Sequence, residues 1–199
     1  MTKNGTSAAQ RCIFCAIAAR QAEASVVYED ETVVAFMDLN PVTPGHLLVV
    51  PREHAVGLED LDGATSARVW SVGHQMARAL RRSGLRCDGI NIFLADGEVA
   101  FQEVFHFHLH VFPRYAGDGF SIDAEWKERE RSLLDAEAEA IKDAIASTHR
   151  LVGFDGLEHA DAVSATPRPQ IPADPASSAH TRRLTDLPHT AGSGPAGPS

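Results

Sequence analysis

Cysteine is scarce in this chain, three among 199 residues, and an odd number in a chain of this length argues against a secreted disulfide scaffold. Tryptophan and tyrosine are scarcer still, two of each, so Val, Leu, Ile and Phe have to fill the core. No apolar run approaches the roughly 18 residues that cross a bilayer, and the polar, Ala-rich start lacks the apolar centre of about 7 to 15 residues that marks a signal peptide. The expectation is a cytoplasmic protein without a membrane partner. Positive charge is also in deficit, with 18 Lys and Arg against 27 Asp and Glu and a formal net charge of −9. With no basic stripe to displace counterions, general affinity for nucleic-acid backbones is excluded, and a phosphate-bearing partner has to be small and locally held.

What remains is ordinary for one globular core: 44% hydrophobic and 23% charged residues in a chain of single-domain length. Residues 1–9 read as a flexible leader. A first helix is predicted over Ile13 to Gln21, and "VVYED" with "TVVAFMD" reads as a hairpin turning at Asp30 and Glu31,. Two prolines and a glycine make "NPVTPG" (Asn40 to Gly45) a loop, and "HLLVVP" a third strand closed by Pro51,. Val69, Val72, Met76 and Leu80 have helical spacing within Ala64 to Arg82,. "GINIFLA" is a fourth strand, and a last helix is predicted over Ala124 to Ala146, its Lys127 to Arg131 charge run a solvated face,. Beyond Arg150 lie seven of the eleven prolines and one aromatic, Phe154. Such a stretch buries too little apolar surface to offset its ordering entropy, so residues 149–199 read as a disordered tail and 10–148 as the domain. Short connections between strands favour an antiparallel α+β layer over a parallel sheet.

Between Phe105 and Arg114 the chain reads "HFHLHVF", with His106, His108 and His110 at alternate positions. On an extended strand alternate side chains share a face, so three imidazoles line one side while Phe107, Leu109 and Val111 fill the other. A packing strand takes no benefit from three crowded titratable rings. Neutral imidazole attacks phosphorus and exchanges protons near pH 7, and three on one face can divide these roles: the central His108 attacks while its neighbours stabilise phosphate charge. Cys12 and Cys15 form "CIFC", a spacing compatible with zinc, redox chemistry or plain burial.

The histidine run, with "QEVF" before it, "PRYAGDGF" after it and "FMDLNPVTPGHLLVVPREH" upstream, resembles the signature of the histidine triad superfamily of nucleotide hydrolases and transferases, over residues 10–148. The resemblance implies an α+β, histidine-triad-like fold: a sheet of about five antiparallel strands with an N-terminal, a central and a C-terminal helix. It implies that His108 takes the nucleotidyl group from the α-phosphorus as a covalent intermediate that water cleaves. It places His110 at the phosphate or departing group, His46 as a fourth histidine on the neighbouring strand, Asp38 on the ribose hydroxyls, and Asn91 and Gln102 along the phosphate site.

Two positions depart from the pattern: Ala95 falls where relatives carry an amide near the bridging oxygen, and Phe101 where a glycine is common before the glutamine. Histidine at the third triad place favours hydrolysis over transfer. The implied activity is a hydrolase of purine nucleoside phosphoramidates or dinucleoside polyphosphates working as a homodimer. A diadenosine polyphosphate phosphorylase or nucleotidyltransferase, and a catalytically weak nucleotide-binding scaffold, are the alternatives. Zinc-containing relatives of the bacterial type carry two cysteines and two histidines at corresponding places, which implies a structural Zn2+ on Cys12, Cys15, His54 and His106 and no organic cofactor.

Overall fold

A computed structural model describes residues 12–151 and 182–183; the predicted leader and nearly all of the predicted tail lie outside the described residues. Contacts divide the chain into two units, with the boundary between Phe120 and Ser121.

The first unit is built on one antiparallel sheet. Its strands are β1 (Val26–Glu29), β2 (Val33–Met37), β3 (Leu47–Pro51), β4 (Gly89–Leu94) and β5 (Leu109–Arg114), in the order β1-β2-β3-β5-β4. The Asp30 turn expected from sequence closes the first hairpin: its Oδ1 accepts from the N–H groups of Thr32 and Val33, both 2.8 Å. Beyond that turn, β2 and β3 read "VVAF" and "LLVVP" without polar alternation and are buried throughout all but Met37, because both faces of the sheet are covered. One face carries helix α2 (Gly63–Leu80), which packs Val69, Val72, Met76 and Leu80 on Val33, Val49, Leu109 and Val111. Burying four such side chains contributes roughly 1.5–3 kcal/mol each. Asp62 caps this helix through the N–H groups of Ala64 and Thr65. Gly73 lets it approach β5: a Cβ there would stand 2.7 Å from Leu109 Cδ2.

The opposite face carries helix α1 (Ile13–Ala18), whose Phe14, Ile17 and Ala18 pack on Val34, Phe36, Leu48 and Val50. This helix stops earlier than its predicted end at Gln21, because Arg20 turns into the left-handed region at φ 58°. In the second unit, helix α3 (Arg131–Leu151) begins later than predicted, and Ala124 belongs instead to β6 (Asp123–Ala124), paired with β7 (Arg182–Arg183). The charges ahead of that helix are engaged in pairs such as Lys127 with Glu125 and Arg129 with Glu137.

Candidate active site and metal centre

The histidine strand is shorter than the alternation predicts. β5 begins at Leu109, where its ladder with Val49 of β3 and Leu94 of β4 begins. Upstream, Phe107 N–H bonds the Ala55 carbonyl at 2.7 Å instead. The alternation nevertheless persists through this extended approach: Phe107 and Leu109 lie in the core under α2, while the histidines take the α1 face, where the Phe14 ring stands edge-on to His106 and His108 at 5.9 and 5.2 Å. Phe14 is a site neighbour that sequence reasoning missed; its position between Cys12 and Cys15 was the available signal.

Hydrogen-bond partners assign the protons. His108 Nδ1 lies 2.7 Å from the His106 carbonyl, and a carbonyl only accepts, so Nδ1 carries the hydrogen and Nε2 keeps its lone pair. His108 is 5% exposed, and burial pushes its pKa down, which maintains the neutral, nucleophilic form. His46 Nδ1 accepts from the Val42 N–H at 3.1 Å, which leaves the hydrogen on its Nε2. That Nε2 donates to His110 Nδ1 at 3.0 Å, so His110 presents an N–H from Nε2. Thus the neighbouring rings, 4.8 Å apart, offer opposite functions: a lone pair on His108 and a donor on His110.

His46 reaches this place by continuing the β2–β3 ladder, its carbonyl accepting from the Asp38 N–H at 3.0 Å. Asp38 Oδ2 stands 3.4 Å from His46 Nδ1, and Oδ1 caps the following turn through the Asn40 N–H, so the turn role and the place beside the histidines coexist. Asn91 and Gln102 have other partners. Asn91 Oδ1 accepts from Arg114, whose guanidinium also grips Asp118 through two nitrogens. Gln102 uses both amide hydrogens on the Val56 and Val104 carbonyls while its oxygen accepts from Gly97; it fastens two loops together. Gln102 and Arg114 are therefore committed to protein groups.

His106 turns away from this constellation. Its Nε2–H donates to the Pro51 carbonyl at 2.8 Å, and its Nδ1 lone pair lies 3.4 Å from the sulfurs of both Cys12 and Cys15. His54 Nδ1 lies 3.2 Å from Cys15 Sγ. The four donors fall within 4.8 Å of one another. A tetrahedral zinc with bonds of ~2.3 Å to sulfur and ~2.0 Å to nitrogen separates such ligands by about 3.5 Å, close to the spacings found. Burial, and then Cys12, push the Cys15 thiol up to about 11, an unfavourable place for a thiolate without a cation, and burial pushes His106 down to about 4, which keeps its ligand lone pair free. A carbonyl holding the far nitrogen of a ligand ring is the usual support of a metal-bound histidine. His54 differs: among the described residues its buried Nε2 has no hydrogen-bond partner.

The HIT domain description matches residues 19–117. An uncharacterized HIT-like protein of Borreliella burgdorferi is 46% identical over 112 residues, which is 56% of this chain and 81% of that protein. Among solved structures, a zinc-bound histidine triad family protein from Mycobacterium smegmatis is 43% identical, with a TM-score of 0.55 over 68% of this chain and 99% of that one. A Streptococcus mutans protein is 37% identical, with a TM-score of 0.66 over 73% and 91% of the two chains. The five-stranded antiparallel sheet with its helices is the architecture shared with these neighbours.

Proposed function

The chain belongs to the HIT domain family, and we propose that it is a nucleotide hydrolase acting at the α-phosphorus of purine nucleoside phosphoramidates or dinucleoside polyphosphates. The observation that carries this reading is the complementary pair of rings: a buried His108 with its Nε2 lone pair outward, beside a His110 that offers a hydrogen. His108 Nε2 forms the bond to phosphorus as the bond to the leaving group breaks, and the His110 N–H stabilises the charge that gathers on the departing side. Water then attacks the same phosphorus and the N–P bond breaks. The nucleoside monophosphate departs, and the proton taken up by the leaving group is made good by that water. Asp38, with one oxygen committed to its own turn, offers the other to the ribose hydroxyls.

Incubation with adenosine phosphoramidate and with diadenosine tetraphosphate, each with and without inorganic phosphate, tests the assignment. Hydrolysis releases AMP in every case; ADP appearing only with phosphate means phosphorolysis. His108→Ala is expected to lower turnover by at least about a thousandfold, as loss of a covalent nucleophile does. More than a few per cent residual activity removes His108 from that role, and tight nucleotide binding by an inert wild type makes the chain a binding protein.

We also propose that Cys12, Cys15, His54 and His106 hold a structural Zn2+, which would neutralise the two thiolates and tie α1 to the approach of β5. The expected result is one zinc per wild-type chain and none after Cys12→Ser, with a lower melting temperature. Equal metal content in both proteins discards the site.

A further inference from the structure

We propose that Thr43 is a positioning residue for the histidine pair: its hydroxyl, bound to the Pro113 carbonyl, seats the turn that aims the Val42 N–H at His46 and so decides which nitrogen of His110 carries the hydrogen. The consequence for catalysis rests on the hydrolase reading above, but the tautomer assignment does not.

His46 Nδ1 has two neighbours that demand opposite things. The Val42 N–H, at 3.1 Å, needs a lone pair there. The Asp38 carboxylate, with Oδ2 at 3.4 Å, needs a hydrogen there. In the observed geometry Val42 makes the hydrogen bond, so the chain runs Val42 N–H to His46, His46 Nε2–H to His110, and His110 Nε2–H outward. Were Asp38 to win, His46 would carry its hydrogen on Nδ1 and leave a lone pair on Nε2. The 3.0 Å bond to His110 would then require a hydrogen on His110 Nδ1, and His110 would face the site with a lone pair in place of a donor. One backbone amide thus sets the polarity of the whole relay.

What holds that amide is the turn, and the turn is anchored on β5 itself. Thr43 is 2% exposed, and its Oγ1 donates to the Pro113 carbonyl at 2.7 Å, three residues beyond His110 on the same strand. Its own carbonyl accepts from the His46 N–H at 3.0 Å. Gly45 closes the turn at φ +100°, where a Cβ would stand 3.1 Å from Pro113 Cγ and 3.0 Å from Leu85 Cδ1. Thr43 is therefore the hydroxyl that binds the Val42 turn to the strand carrying His110. Removing that hydroxyl strands a buried carbonyl and frees the turn to shift.

The test is 15N-labelled full-length protein observed by two-bond proton–nitrogen correlation of the histidine rings, which reads each tautomer without any need for turnover. Wild type is expected to show Nε2–H at both His46 and His110. Thr43→Val is expected to populate Nδ1–H at both, Thr43→Ser to restore the wild-type pattern, and Thr43→Val combined with Asp38→Asn to restore it by removing the competitor. With adenosine phosphoramidate, Thr43→Val should lower kcat about tenfold with KM within about twofold, the effect of one mispositioned hydrogen bond. A folded Thr43→Val that keeps Nε2–H at both rings overturns the proposal, whatever its melting temperature. Should valine prevent folding, the rings of Thr43→Ala are measured in the same way: Nδ1–H at both supports the role of Thr43, and Nε2–H at both overturns it. An inert wild type would refute the hydrolase reading and leave the tautomer result to decide the role of Thr43.

Discussion

His110 is kept neutral by what surrounds it. Burial first, and then the rings of His108 and His46, push its imidazole down to about 4, against an opposing pull from Asp38. In the unfolded chain the same ring titrates near 6.5. Between these values the unfolded chain takes up a proton that the native chain does not, so native stability declines as pH falls from 6.5 towards 4 and is indifferent to this ring above 6.5. The urea midpoint of wild type should therefore drop between pH 7 and pH 4.5 by more than that of His110→Gln. Equal drops would mean that His110 titrates normally in the fold. Turnover should follow the same direction for a different reason: His108, its pKa also lowered by burial, keeps its lone pair across neutral pH, so kcat/KM should be flat from pH 7 to 8 and fall on the acid side. A residue as informative as these, Thr43, gives no signal in sequence. A threonine between two prolines reads as turn chemistry, and only the pairing of β3 with β5 brings it to Pro113.

The same contrast between local pattern and tertiary partner holds for the elements. Alternation in "HFHLHVF" correctly divides the rings from Phe107, Leu109 and Val111, since side-chain period follows from extended backbone alone. Where β5 begins does not follow from it, because a strand starts where partners exist, and Val49 and Leu94 are set by the ends of other strands. The cysteine pair of "CIFC" is legible as a candidate ligand pair, whereas the approach of His54 and His106 to it follows from tertiary partners, among them the Pro51 carbonyl that His106 binds and the Ala55 carbonyl that accepts from Phe107 N–H. The loop between β4 and β5 holds a cost that the pattern also announces: Phe101, where the family resemblance implies a glycine, sits at φ 70° and is 80% exposed. A side chain with a Cβ in that region costs about 1–2 kcal/mol, and so exposed a ring gains little packing in return. Phe101→Gly should therefore raise stability by about 1 kcal/mol, the relief of that strain less the extra freedom glycine brings to the unfolded chain. A lowered melting temperature would show that the exposed ring makes a contact worth more than its strain.

In the first unit the sheet has two outer edges, β1 and β4, and β4 is the one that pairs with the histidine strand. Among the described residues β4 pairs on one side only, with β5, and it exposes Ile92 and Phe93 at 40% and 39%. Ile92 pairs with Val111 and so lies on the face that carries α2, whose Trp70 is 44% exposed. No helix among the described residues is long and apolar enough to cross a membrane. An unpaired strand with apolar flanks invites another strand, and we propose that a second copy of this chain supplies it, β4 to β4, as the homodimer that the family resemblance implies. A two-fold axis across the edge would set the two β4 strands side by side, the same patch on each copy, as a self-complementary interface requires. It also makes one sheet of both sites, since Phe93 pairs with His110 and any shift of β4 is felt at that ring. Sedimentation equilibrium should give twice the 21.4 kDa chain mass, and Ile92→Lys, which sets like charges against each other across the axis, should give the single mass with the circular dichroism of a folded sheet. A wild type that stays at the single mass at millimolar concentration, or a lysine variant that remains double, would send the β4 edge back to being an open strand in search of another partner.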